Sequence, residues 1–176
     1  MRVIAAGMIR SASTLQYNML RVIMEQGGLN PKCFWVNDYK NETGNVLIKT
    51  HEYKPHLVEG SIIFTALRSE EGIKGSMRRR AEYLAKNPDT RFQGTANLDR
   101  YPLYFRWFRQ WRQVANYRQN YEELKDNPLK VINDCIKVLG LTGKVYPDEV
   151  LHELNHITPT EEYDPVTMYH PKHITK

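Results

Sequence analysis

The stretch that decides the fold is VIAAGMIRSASTL, residues 3–15. An apolar run, Val3 to Ala6, breaks at Gly7 and gives way to a hydroxyl-rich turn. Leu15, Met19, Leu20 and Ile23 then recur at helical spacing. Strand, phosphate-cradling loop and helix succeed one another in that order. Set against G-x-x-x-x-G-K-[ST], residues 7–14 keep the first glycine and the last hydroxyl. Ala12 replaces the second glycine, Ser13 replaces the lysine, and a cation stands earlier, at Arg10. The amides after Gly7 and the start of the helix still suit an anion. Ser11, Ser13 and Thr14 add hydroxyls, and Arg10 offers a guanidinium fork for phosphate or sulfate oxygens. No lysine reaches between β- and γ-phosphates, and no strand ends in an Asp for Mg²⁺. The loop therefore favours a 5′-phosphate over a metal-bound triphosphate. The bland alternative is a strand-to-helix turn capped by Ser11 or Ser13.

Working outward, short β-rich runs at 3–6, 33–36, 46–49 and 62–66 alternate with helical segments from Ser13 and over 69–85. A further strand is expected at about 114–117, after a helix over 98–111. Asn127-Pro128 reads as a cap and first helical residue, Gly140 as a stop, and 147–154 as a last helix. The pattern predicts an α/β, three-layer P-loop-type fold, its central, mostly parallel sheet flanked by helices. A single domain over 1–176 is expected. The net charge of +5 and pI near 9.1 point to an anionic ligand or partner. No apolar run approaches the ~20 residues of a membrane span, and no signal peptide is read at the N-terminus. Cys33 and Cys135 lack metal-ligand spacing and read as small buried hydrophobes in a cytoplasmic protein. His152 and His156 have i,i+4 spacing and, with His170 and His173, raise the question of zinc, but no carboxylate motif supports a metal site.

Four stretches together resemble the sulfotransferase family. MIRSASTL looks like its 5′-phosphosulfate loop, and IKTHEY, 48–53, like the strand end that carries the general base. IIFTALRSEEGIKGSM, 62–77, is similar to the strand, loop and helix that bind the donor's 3′-phosphate, with Arg68 followed eight positions on by Ser76. NYEELKDNPLKVINDCIKVLGL, 120–141, is similar to the family's Tyr-Glu-Asp-Leu segment and its helix. The resemblance implies 3′-phosphoadenosine 5′-phosphosulfate as donor, without a metal. Arg10, Ser11, Ala12, Ser13 and Thr14 would hold the 5′ side, Arg68 and Ser76 the 3′-phosphate, and Tyr121 would lie near adenine. His51 would be the general base, with Lys49 and Arg10 stabilising charge on the transferring group. The acceptor would be a small molecule or carbohydrate bearing a hydroxyl or amine.

The sequence also departs from the family. Ala12 adds a methyl where the loop has glycine, and Glu70 and Glu71 put acid beside an anion site unless they face away along the helix. The family's Gly-rich basic closing loop is not found; HPKHITK stands where it would be approached, with Lys172 and Lys176 as stand-ins. Arg78-Arg79-Arg80 reads as a solvated helix face. RYPLYFRWFRQWR, 100–112, reads first as an amphipathic helix that buries Tyr104, Trp107 and Trp111 and solvates Arg106, Arg109 and Arg112. On that reading no nucleic-acid partner is expected, although interleaved aromatics and arginines also suit bases and phosphates or sugar faces. A nucleotide or small-molecule kinase on the same fold, and a non-catalytic nucleotide or nucleic-acid binder, are the alternatives to a sulfotransferase.

Overall fold

In a computed structural model that describes residues 1–86, 98–158 and 163–168, a five-stranded sheet forms the centre of the molecule. Its strands are β1 (Arg2–Ala5), β2 (Lys32–Trp35), β3 (Val46–Lys49), β4 (Ser61–Leu67) and β5 (Tyr117–Asn120). They lie in the order β2-β3-β1-β4-β5, every pair parallel. The described helices are α1 (Ser13–Gln26), α2 (Glu70–Lys86), α3 (Tyr101–Val114), α4 (Tyr121–Asp126), α5 (Pro128–Val138) and α6 (Pro147–His156). This is an α/β architecture consistent with a three-layer P-loop-like fold. No described helix is long and apolar enough to cross a membrane.

Both faces of the sheet are apolar, as a parallel sheet between helices requires. Alternation along the strands assigns the faces. Val3, Ala5, Leu47 and Phe64 join α1, α5 and α6 in one cluster, whereas Ile4, Val46, Ile48 and Ile63 pack with Leu57 and Trp111 in the other. Met8, Ile9, Ile73, Met77 and Phe108 form a third cluster, tying the loop after β1 to α2 and α3. Cys33 and Cys135 are free thiols, and Cys135 is buried in the first cluster.

Asn127 caps α5, its side chain accepting from the Lys130 amide at 3.3 Å with Pro128 at the first helical position, and Gly140 takes φ 71 just past the end. The expected strand at 114–117 is displaced. Helix α3 continues through Val114 because Phe108 and Trp111 anchor it in the core, and Asn116 begins the pairing with β4 instead. Its amide donates to Ile63 O at 2.8 Å, and its side-chain oxygen accepts from the Ile63 amide at 2.7 Å. The segment 163–168 lies on the body: Met168 is buried, Tyr17 Oη donates to Val166 O at 3.1 Å and Asn18 Nδ2 to Thr167 O at 2.8 Å. Lys172, Lys176, His170 and His173 lie outside the described residues.

Candidate active site

Every strand delivers residues to one cavity of about 1020 Å³ at the carboxyl edge of the sheet, where open α/β sheets bind ligands. The loop after β1 contributes Arg10, Ala12, Ser13 and Thr14; β3 and its following turn contribute Lys49 and His51. Arg68 comes from the end of β4, Ser76 from α2, and Tyr121 from the end of β5. These expected site residues therefore share one cleft.

Ser11 is the exception. Its side chain is fully buried, with Oγ 2.5 Å from Met8 O and 2.8 Å from Ala66 O, so the hydroxyl braces the loop from behind. Arg10 and Ala12, on either side, take φ 61 and 63, and the alternation turns their neighbours to opposite sides of the loop. No side chain caps α1, so the simple capped turn is absent, and Ala12, Ser13 and Thr14 at the helix start line the cavity. Gly7 is required by contact: a Cβ there would lie 2.5 Å from Ser13 Cβ.

The lysine missing from the loop is supplied from a neighbouring strand. Lys49 Nζ reaches Thr14 Oγ1 at 2.6 Å, and its other near neighbours are the rings of Tyr17 and Trp35, at 5.8 and 5.9 Å. Lys49 is almost wholly buried, and burial pulls its pKa down to about 7. His51 follows at the strand's end. A carbonyl only accepts, so the 2.7 Å contact of His51 Nδ1 with Gly7 O places the proton on Nδ1 and leaves Nε2 with a lone pair. Burial first, and then the Lys49 charge, lower its pKa to about 4. The imidazole is thus neutral at physiological pH, in the tautomer a base needs. Trp111 positions this turn, donating from Nε1 to Glu52 O at 3.0 Å, and Trp35 meets His51 edge-on at 5.4 Å.

A second cationic group lines the same cavity. Arg10 Nε donates to Ser76 Oγ at 3.0 Å, so Arg10, expected beside the 5′ side, leans toward α2 and touches a residue expected at the 3′-phosphate. Burial, then Arg80, Arg79 and Arg68, push its pKa down. Arg68 stacks its guanidinium 4.3 Å from the centre of the Tyr121 ring. One face of Tyr121 is therefore already covered. Glu70 and Glu71 are exposed in the first turn of α2 and line no part of this cavity; Glu70 pairs with Lys74 at 2.5 Å.

The solvated face expected of Arg78-Arg79-Arg80 is only partly present. Arg80, one helical turn beyond Ser76, is fully buried near Tyr83; Arg78 and Arg79 are exposed as expected, and Arg79 also borders the cavity. The i,i+3 spacing of Ser76 and Arg79 was the available signal. Arg100 also borders the cavity, and nothing local in the sequence marks it. Trp111 is buried as expected, but Tyr104 and Trp107 are half-buried and line the cavity while Phe108 takes the core position. On α6 the His152 and His156 rings lie 4.3 Å apart, and His156 Nδ1 donates to His152 O at 2.7 Å.

Neither a family model nor a curated protein matches the chain. Fold and site together define its class: an α/β protein with a five-stranded parallel sheet, carrying a cavity lined by Lys and Arg side chains and a neutral imidazole at the sheet's carboxyl edge.

Proposed function

We propose that the chain is a sulfotransferase, moving a sulfuryl group from 3′-phosphoadenosine 5′-phosphosulfate to a hydroxyl or amine of a small-molecule or carbohydrate acceptor. One relationship carries the reading: Lys49 with Thr14, and Arg10 with Arg68 and Ser76, are two cationic groups facing one cavity that also holds His51. A donor with two separated anionic groups matches that charge pattern. The carboxylate on the cavity wall, Glu52, is paired with Lys54 at 2.9 Å.

Arg10, Arg68 and Ser76, with Arg79 beside them, would hold the 3′-phosphate; Ser13, Thr14, Lys49 and the amides opening α1 would hold the 5′ side. The donor supplies the sulfuryl group and departs as 3′-phosphoadenosine 5′-phosphate. His51 Nε2 takes the acceptor's proton as the acceptor atom bonds to sulfur and the bond from sulfur to the nucleotide oxygen breaks. Such a base contributes roughly 10²–10⁴-fold. The Lys49 ammonium meets charge developing on the transferred group, within a site where burial strengthens it. Trp35, Tyr104, Trp107, Tyr163 and Met168 give the cavity an aromatic and apolar wall, which supports an acceptor with a ring or sugar face. The proposed setting is the cytoplasm, supported by the two free thiols.

A kinase is the second reading, favoured by one observation: Lys49 restores an ammonium to the loop. Calorimetric titration separates the two. Tight binding of 3′-phosphoadenosine 5′-phosphate without Mg²⁺, and none of ATP, is the expected result. ATP binding that needs Mg²⁺, with no affinity for the bisphosphate, replaces the sulfotransferase with the kinase.

A further inference from the structure

A second cavity, about 510 Å³, lies on the outer side of Arg68 between the start of α2, helix α3 and Arg118 of β5. Its floor is apolar, formed by Ile73, Phe108 and Leu67. Its rim is guanidinium: Arg109 and Arg112 stand about one helical turn apart on α3, roughly 5 Å along the axis. Arg118 is held against them by donating from Nε to Arg112 O at 3.1 Å. An amphipathic helix with solvated arginines accounts for Arg106, which borders neither cavity. Arg109 and Arg112 are exposed as that reading expects, and they also edge the groove.

At one end of the groove stands a column of stacked groups. Lys74 Nζ sits 5.2 Å from the Tyr101 ring centre, and Phe105 stacks on Tyr101 at 5.9 Å with the planes 11° apart. Phe105 is 36% exposed and belongs to no core cluster, so the column ends in an open aromatic surface. The carboxylate at the groove, Glu70, is taken up by Lys74 at 2.5 Å. From Arg100 to Tyr121 the chain carries Arg100, Arg106, Arg109, Arg112 and Arg118 and no Asp or Glu.

We propose that this groove binds single-stranded nucleic acid, with a base on Phe105 and backbone phosphates on Arg109, Arg112 and Arg118. Flat stacking surfaces beside a track of guanidiniums match a chain that alternates planar rings with phosphates. An acidic glycan fits less well. Reading sugar hydroxyls takes several neutral amides and free carboxylates, whereas the groove offers one amide, Gln113, beside the Ser69 and Tyr101 hydroxyls, and its carboxylate is already paired. An acidic peptide would satisfy the arginines but bring no planar base to the exposed side of Phe105, whose other contact is Tyr101. The inference uses none of the residues assigned to donor chemistry except Arg68, which lines both cavities.

The test is fluorescence anisotropy of the whole chain with a labelled oligothymidylate of about ten nucleotides, with heparin and polyglutamate as competitors. Binding at low salt is expected to weaken linearly in log affinity against log salt. Phe105→Ala should weaken it roughly 5- to 150-fold, and Arg109→Ala with Arg112→Ala should reduce the salt slope by about 1.4. Arg10→Ala, which alters only the larger cavity, should leave oligonucleotide affinity unchanged. Absence of binding at low salt overturns the proposal. So does binding that follows Arg10 and ignores Phe105, or capture of heparin or polyglutamate in preference to the oligonucleotide.

Discussion

Arg10 Nε donates to Ser76 Oγ across 3.0 Å, joining the loop after the first strand to the middle of the helix after the fourth. The two residues are 66 positions apart in sequence, so the bond brings a guanidinium and a hydroxyl from two remote segments together at one cavity. Arg10→Ala and Ser76→Ala should each weaken binding of 3′-phosphoadenosine 5′-phosphate. The losses should not add, because residues in contact typically show coupling of about 0.5–3 kcal/mol. A double-mutant cycle by calorimetry reads this directly. Additive losses would show that the two side chains serve separate sites.

Two glycines should separate stability from binding. A Cβ on Gly7 would meet Ser13 Cβ at 2.5 Å and Ser13 Cα at 3.1 Å, so the backbone at the start of α1 must move. Gly7→Ala should therefore lower stability and abolish bisphosphate binding together. A Cβ on Gly72 would meet Arg68 Nε at 2.6 Å, the flexible part of a long side chain. The same Cβ would lie 2.9 Å from Ser69 Oγ, which accepts from the Gly72 amide at 3.2 Å. Gly72→Ala should leave urea stability nearly unchanged, the helix propensity alanine adds (about 0.5–1 kcal/mol) offsetting a weakened Ser69 bond, and should weaken bisphosphate binding by displacing the Arg68 guanidinium from its place over Tyr121. Equal behaviour of the two variants in both measurements would contradict this division.

The parts of the fold written in local pattern were legible in the sequence, and the parts that depend on packing were not. Residues 46–49 and the Asn127-Pro128 cap read correctly because alternation and capping act over a few residues. Residues 114–117 did not, because Val114 and Tyr117 favour strand while the burial of Trp111 holds Val114 in helix. At the site, Arg10, Lys49, His51 and Arg68 stood out as titratable groups at or shortly after the ends of apolar strand runs, and they meet in one cavity. The partner of Arg10 could not be read, since a contact across 66 residues leaves no local trace. Ser11 misled for the opposite reason: its type suits a ligand, but the left-handed turns at Arg10 and Ala12 aim it inward.

Ala12 occupies φ 63, ψ 28, the left-handed region in which a Cβ is strained by about 1–2 kcal/mol. Glycine removes the strain and returns about 0.4–1 kcal/mol of it through a more flexible unfolded chain. Ala12→Gly should thus stabilise the protein by up to about 1.6 kcal/mol. Because Ala12 lines the cavity, the same change should not reduce bisphosphate affinity. Urea denaturation with the slope unchanged checks the first statement, and calorimetry the second.

The pH response follows from His51. Its pKa falls from 6.5 to about 4 in the folded chain, so between those values the unfolded chain binds a proton that the native imidazole refuses. Stability should therefore decrease as pH drops from 6.5 to about 4, where the folded imidazole also protonates. His51→Gln removes this contribution and should flatten the curve in that window. The same variant should lose turnover by roughly 10²–10⁴-fold while keeping bisphosphate binding, since a base contributes to proton transfer rather than to anion recognition. Lys49→Met takes away the positive charge second to burial among the causes of the low value, so the His51 titration followed by NMR should move upward. A titration that stays near pH 4 in that variant would assign the depression to burial alone.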